Sequence, residues 1–179
     1  MKPGSNTDSQ PKPAGNSLLA TQAQARLKEG LALHHKGQLA QAQDIYYQVL
    51  KLQPGHFDVL YMLGMLAGQT GNSAQALEWI DKAIEVDPSY ASAHSNRGNA
   101  LNDLKQHQAA VDSYNKAISL RPDHLDAYYN RGIALYELKQ YQAAVDSYNK
   151  AITLRPNHLD AYYNRGLALH ELRQYQAAI

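Results

Sequence analysis

Apolar and small side chains return along residues 91–124 with the spacing of two consecutive amphipathic helices. His94, Gly98 and Leu101 stand at i, i+4 and i+7 on one face of a first helix, and Ala110, Tyr114, Ala117 and Ile118 share a face of a second. Pro122 closes the unit, because the residue before a proline is pushed out of helical geometry. The arrangement recurs. Prolines stand at Pro54, Pro88, Pro122 and Pro156, glycines at Gly30, Gly64, Gly98, Gly132 and Gly166, and alanines at Ala42, Ala76, Ala110, Ala144 and Ala178, each series stepping by 34 residues. Self-similarity of that length marks stacked helical pairs. The repeats run 23–56, 57–90, 91–124, 125–158 and 159–179, the fifth incomplete. A glycine inside a helix costs about 1 kcal/mol. Its recurrence therefore predicts that the two helices of a pair approach closely there, Gly132 against Ala144 in the fourth repeat.

This pattern resembles the tetratricopeptide repeat (TPR) family, which has small residues at the eighth and twentieth positions, an aromatic at the twenty-fourth and proline at the thirty-second. The aromatics are Tyr46, Tyr114 and Tyr148, Ile80 being the departure, and the resemblance covers Thr21 to Ile179. It implies an all-α fold: a right-handed superhelical solenoid of antiparallel helix pairs, four full repeats plus a truncated fifth, with a concave groove. The seventh position departs from the family's leucine, carrying Glu29, Arg97, Arg131 and Arg165. The arginine stems are expected to pack between repeats while their heads find carbonyls or carboxylates. Residues 1–17, rich in Pro, Gly, Ser, Asn and Gln, read as a flexible tail ahead of an array over 18–179. Residues 159–179 match 125–145 at all but four positions, which points to a longer array of which this chain is a truncated part.

At about 100° per residue, the second, sixth, ninth and thirteenth positions of each first helix cluster away from its apolar arc. That stripe is the candidate groove. It reads Ser92, Asn96, Asn99 and Asp103, then Asp126, Asn130, Ile133 and Glu137, then Asp160, Asn164, Leu167 and Glu171, with the more apolar Asp58, Met62, Met65 and Gln69 in the second repeat. Asn96, Asn130 and Asn164 form a ladder. A side-chain amide can bond both the N–H and the C=O of an extended peptide without reading its sequence. Here the chain resembles the repeat region of O-linked N-acetylglucosamine (O-GlcNAc) transferases of the SPINDLY type, in which a similar ladder grips substrate backbone. The carboxylates Asp58, Asp103, Asp126, Glu137, Asp160 and Glu171 would favour Lys- or Arg-containing ligands, against the alternative of a solvated helix face. Tyr129, Tyr163 and Tyr136 flank the stripe as stacking candidates, while Tyr128 and Tyr162 fall on the core face.

Composition narrows the function. With 44% hydrophobic and 18% charged residues the chain has material for one folded domain. Its 17 basic and 16 acidic residues give +1, which favours neither nucleic acid nor a membrane surface, and helical-repeat RNA binding fits poorly with an acidic stripe. Zero cysteines exclude disulfides, thiolate zinc sites and cysteine nucleophiles. No apolar run approaches the roughly 20 residues of a membrane helix, so the expected address is cytoplasmic. His34 and His35 are adjacent and diverge, and His56, His124 and His158 stand a repeat apart, so no metal is expected. No cofactor or catalytic residue is expected either. The sequence therefore reads as a non-enzymatic scaffold binding a protein or peptide partner, with self-association through the uncapped C-terminal repeat left open. The alternative is the substrate-binding region of an O-GlcNAc-type glycosyltransferase whose catalytic domain lies beyond Ile179.

Overall fold

A computed structural model describes residues 14–177. They form α1 (Ala14–His35), α2 (Leu39–Leu52), α3 (Phe57–Gln69), α4 (Ser73–Val86), α5 (Ala91–Asp103), α6 (His107–Leu120), α7 (Leu125–Glu137), α8 (Tyr141–Leu154) and α9 (Leu159–Ala177). The described residues are all-α, in two compact units divided between His56 and Phe57. In the first, α1 packs on α2 around Ala23, Ala42, Tyr46 and Val49, all fully buried. Helix α1 begins at Ala14, so residues 14–17, assigned to the tail from composition, are helical; residues 1–13 lie outside the described residues.

The second unit pairs α3 with α4, α5 with α6 and α7 with α8, each pair packing on the next, and ends on α9. Its core is a column of small and aromatic residues, Ala110, Tyr114, Ala117, Ala127, Ala134, Ala144 and Tyr148 among them. The recurring glycine makes the close approach, but against a different residue from the one expected. A Cβ added at Gly132 would lie 2.5 Å from Cε1 of Tyr148, and one at Gly98 2.5 Å from Cε1 of Tyr114. The glycine at the eighth position thus accommodates the ring at the twenty-fourth; Ala144, at the twentieth, is not the tight neighbour. Where the ring is missing, Ile80 takes its place, 2.5 Å from a Cβ at Gly64.

Each turn between the helices of a pair is closed alike. Gln106 N–H donates to Leu101 O at 2.9 Å and Lys105 N–H to Asn102 O at 2.9 Å, the two bonds of a Schellman cap. That cap needs a left-handed residue, supplied by Gly37 (φ 73°) and Gly71 (φ 76°) in the first two repeats but by Lys105 (φ 61°) and Lys139 (φ 59°) in the next two. A side chain there costs about 1 kcal/mol. Lys105→Gly and Lys139→Gly should therefore each raise stability by up to about 1 kcal/mol in urea denaturation. A fall for both would show that these turns are not left-handed.

The fifth repeat differs from expectation. Arg173 is the residue that would turn, yet α9 runs unbroken from Leu159 to Ala177 instead of stopping near Glu171. In the earlier repeats the strained turn is offset by docking of a whole second helix, which the few residues after Arg173 do not supply. Tyr162 is accordingly 42% exposed rather than core, and Tyr128 only half-buried. Each ring instead faces the guanidinium three residues on, Arg165 at 5.1 Å and Arg131 at 5.3 Å.

His124, at the cap of α7, is buried with its Nε2 unpartnered. Burial, helped by the Arg121 guanidinium and partly opposed by Asp126 and Asp123, holds the imidazole below its usual range. On acidification the unfolded chain then takes up this proton before the folded one does. The contribution is complete above about pH 6.5 and is lost as pH falls towards the lower folded value. Position thirty-four is Tyr90 in the second repeat, so His124→Tyr is a natural control. The variant should lose less stability than the parent between neutral and mildly acidic pH; identical pH profiles would show that His124 is solvated.

Candidate functional site

The first helices of successive pairs touch one another, α3 with α5, α5 with α7 and α7 with α9. That leaves them on the inner side of the Phe57–Ile179 unit, where the expected stripe lies. Asn96, Asn130 and Asn164 are all half-buried there, and each donates from its side-chain amide to the preceding repeat. Asn96 Nδ2 donates to Tyr61 Oη at 2.8 Å and also lies 2.7 Å from Met65 Sδ, while Asn164 Nδ2 donates to Tyr129 Oη at 2.9 Å. Tyr61 and Tyr129 both stand at the fifth position, which in the third repeat is Ser95. Asn130 therefore finds Asn99 Oδ1 at 2.9 Å instead, an oxygen that also receives the Tyr114 hydroxyl at 2.9 Å. The ladder is thus a set of staples between repeats. Asn130 and Asn164 each keep a second N–H for a ligand, Asn96 has both directed at Tyr61 and Met65, and all three keep an oxygen lone pair.

The other expected site residues divide by exposure. Asp126 and Asp160 are exposed in the first turns of α7 and α9, where the helix dipole favours a carboxylate. Glu137 is exposed, and Glu171 lies 3.9 Å from His170 Nδ1. Among the described residues, none of Asp58, Asp103, Asp126, Glu137 and Asp160 takes part in an ion pair. Tyr129 is anchored by its bond to Asn164 and by the His158 ring at 4.7 Å, whereas Tyr163 is 68% exposed. Burial, the Asp160 carboxylate and the bond from Asn164 act on the Tyr129 phenol with a net upward shift, burial being the largest cause. Two cavities open on this face. One, of about 320 Å³, is bordered by Met65, Gly68, Ile80 and Asn96; the other, of about 240 Å³, by Ile133, Tyr136, Tyr148 and Leu167. No group of three or more His, Asp or Glu among the described residues is arranged to hold a metal, and no described helix is long and apolar enough to cross a membrane.

The sequence matches the tetratricopeptide repeat family over residues 33–97, 125–158 and 147–179, and the TPR repeat over 98–139. A solved structure of MamA is 30% identical over 79% of this chain and 82% of that one, with a TM-score of 0.76. The chain belongs to the tetratricopeptide repeat family. A second MamA structure is 28% identical over 87% of this chain and 85% of that one, at TM-score 0.81. The first TPR of Spaghetti (RPAP3), solved with an HSP90 peptide bound, is 26% identical over 65% of this chain and 93% of that one, at TM-score 0.64.

Within this TPR array the seventh-position arginines serve the fold, on the side opposite the stripe. Arg97 Nε donates to Asp81 at 2.6 Å and its Nη1 to Ser113 at 2.8 Å, tying α4 to α5 and α6. Arg131 does the same with Ser147 at 3.1 Å and Asn115 at 2.7 Å, and Arg165 reaches Asn149 at 2.8 Å. The heads find one carboxylate but otherwise hydroxyls and amide oxygens. Helical phase puts the asparagines together on this inner face but does not reveal their bonds to the preceding repeat. The available signal was the alternation of Tyr61, Ser95 and Tyr129 at the fifth position.

Proposed function

We infer that the inner face of the Phe57–Ile179 array holds an extended segment of a partner protein, with no chemistry performed on it. The observation that carries the reading is the row of half-buried asparagines, fixed by their bonds to the preceding repeat, with an acceptor to spare at all three and a donor to spare at Asn130 and Asn164. A side chain already immobilised loses little entropy when a ligand arrives. The RPAP3 domain, solved with the HSP90 peptide SRMEEVD, supports a peptide as the kind of partner, although that sequence is acidic. The stripe here is lined by carboxylates, so the groove in this chain suits a segment of positive charge. Asparagine recurrence is also what the likeness to O-GlcNAc transferases rests on. Since those amides staple the repeats in this chain, the recurrence favours no glycosyltransferase parent over a scaffold.

Selection of a random peptide display library on the immobilised full chain tests the reading. Enriched peptides should carry net positive charge and bind more weakly as salt is raised, because exposed carboxylates are screened. Enrichment of acidic peptides, or of none, would overturn it.

A further inference from the structure

The repeat over 57–90 departs from its neighbours at two positions that face the groove. The twelfth residue is His34, Asn102, Tyr136 and His170 elsewhere and Gly68 here; the twenty-fourth is Tyr46, Tyr114 and Tyr148 elsewhere and Ile80 here. Both losses of bulk border the same cavity of about 320 Å³ between α3, α4 and α5, whose apolar wall also includes Gly64, Met65, Ala76 and Ala100. Two repeats further along, Tyr136 and Tyr148 fill the corresponding places and the cavity shrinks to about 240 Å³. One rim of the larger cavity is polar, formed by Gln69, Ser73, Asn96, Asn99 and Asp103. One carboxylate oxygen of Asp103 accepts the Ser73 hydroxyl at 3.1 Å, and among the described residues no cation pairs with the group.

We propose that this cavity is the anchor pocket of the groove: it takes one apolar side chain of an extended partner segment that carries Lys or Arg beside it, the cation meeting Asp103. The proposal rests on the groove reading above and adds where the segment is held in register and which residue of it is read. An apolar wall gains only from an apolar occupant. The free carboxylate at the rim then supplies charge complementarity for the neighbouring residue. The remaining asparagines contact backbone and leave sequence unread, so discrimination concentrates in the one repeat whose bulk has been removed.

Gly68 offers a clean test. A Cβ placed there meets only Ala76 Cβ, at 4.0 Å, and Gly68 borders the cavity, so a side chain can start from this backbone without a close contact and reduce the space beside it. Replacing an exposed helical glycine by leucine also favours the helix, so weaker binding cannot be ascribed to unfolding. The probes are the peptides enriched by the display selection. They should share an apolar residue next to Lys or Arg, and they should shift the methyl resonances of Met65 and Ile80. Gly68→Leu should weaken them about tenfold or more with no drop in thermal midpoint, and Asp103→Asn should weaken them less while reducing their salt dependence. Peptides that bind the parent and Gly68→Leu alike, leaving both methyls unmoved, would overturn the pocket while the groove reading stands on the asparagine variants. A library that enriches nothing would overturn both.

Discussion

Gly132→Leu is expected to destabilise the array by about 3 kcal/mol or more, near the upper end of what overpacking a core costs. The new Cβ would lie 2.5, 2.7 and 2.9 Å from three atoms of the Tyr148 ring, closer than real Cβ contacts come. The ring has nowhere to go. It is 1% exposed and packed in one cluster with Ala127, Ala134, Leu135, Ala144 and Val145. The comparison that isolates packing is Gly166→Leu, at the same position of the last repeat, where an added Cβ meets nothing within 4 Å. That variant should be as stable as the parent or up to about 1 kcal/mol more stable, because leucine favours a helix over glycine. Urea denaturation followed by circular dichroism reads both. Equal destabilisation at the two sites would show that the glycine–tyrosine contact does not set the cost.

The triple variant Asn96→Ala, Asn130→Ala, Asn164→Ala is expected to bind a selected peptide about tenfold to a thousandfold more weakly, at about 0.5 to 1.5 kcal/mol per lost hydrogen bond. The staples add a second consequence. Each truncation also removes a bond between repeats, at 2.8, 2.9 and 2.9 Å, so the thermal midpoint should fall while the far-ultraviolet spectrum at room temperature stays helical. Peptide sequence outside the anchor should hardly alter the loss, because amide-to-backbone contacts are blind to side chains. If charge alone holds the ligand, the outcome reverses. Changing Asp126, Glu137, Asp160 and Glu171 to their amides would then abolish binding, and the asparagine variant would bind normally.

Most of the fold was legible because the repeat writes the same physical problem several times over. One glycine in a helix is ambiguous; a glycine every 34 residues opposite a recurring tyrosine is a packing rule. Its partner was harder to name, since spacing gives the face but not which of Ala144 and Tyr148 lies over the gap. The exposed stripe followed from helical phase. Its hydrogen bonds did not, because Asn96 and Asn164 reach tyrosines 35 residues back, Tyr61 and Tyr129, and such a bond depends on how repeats stack rather than on any one helix. The unbroken course of α9 escaped for a related reason: the Schellman turn at Lys105 and Lys139 is maintained by the helix that follows, so matching residues at 172–174 do not by themselves make a turn.

On the proposed function the ligand lies along the inner face made by α3, α5, α7 and α9. Photo-crosslinking tests it most directly, with benzoylphenylalanine placed at Ile133 on that face or at Lys116, exposed on α6 beside Asp112 and Arg97. A selected peptide should crosslink at Ile133 and not at Lys116, and unlabelled peptide should compete the product away. Crosslinking at Lys116 with none at Ile133 would contradict the account.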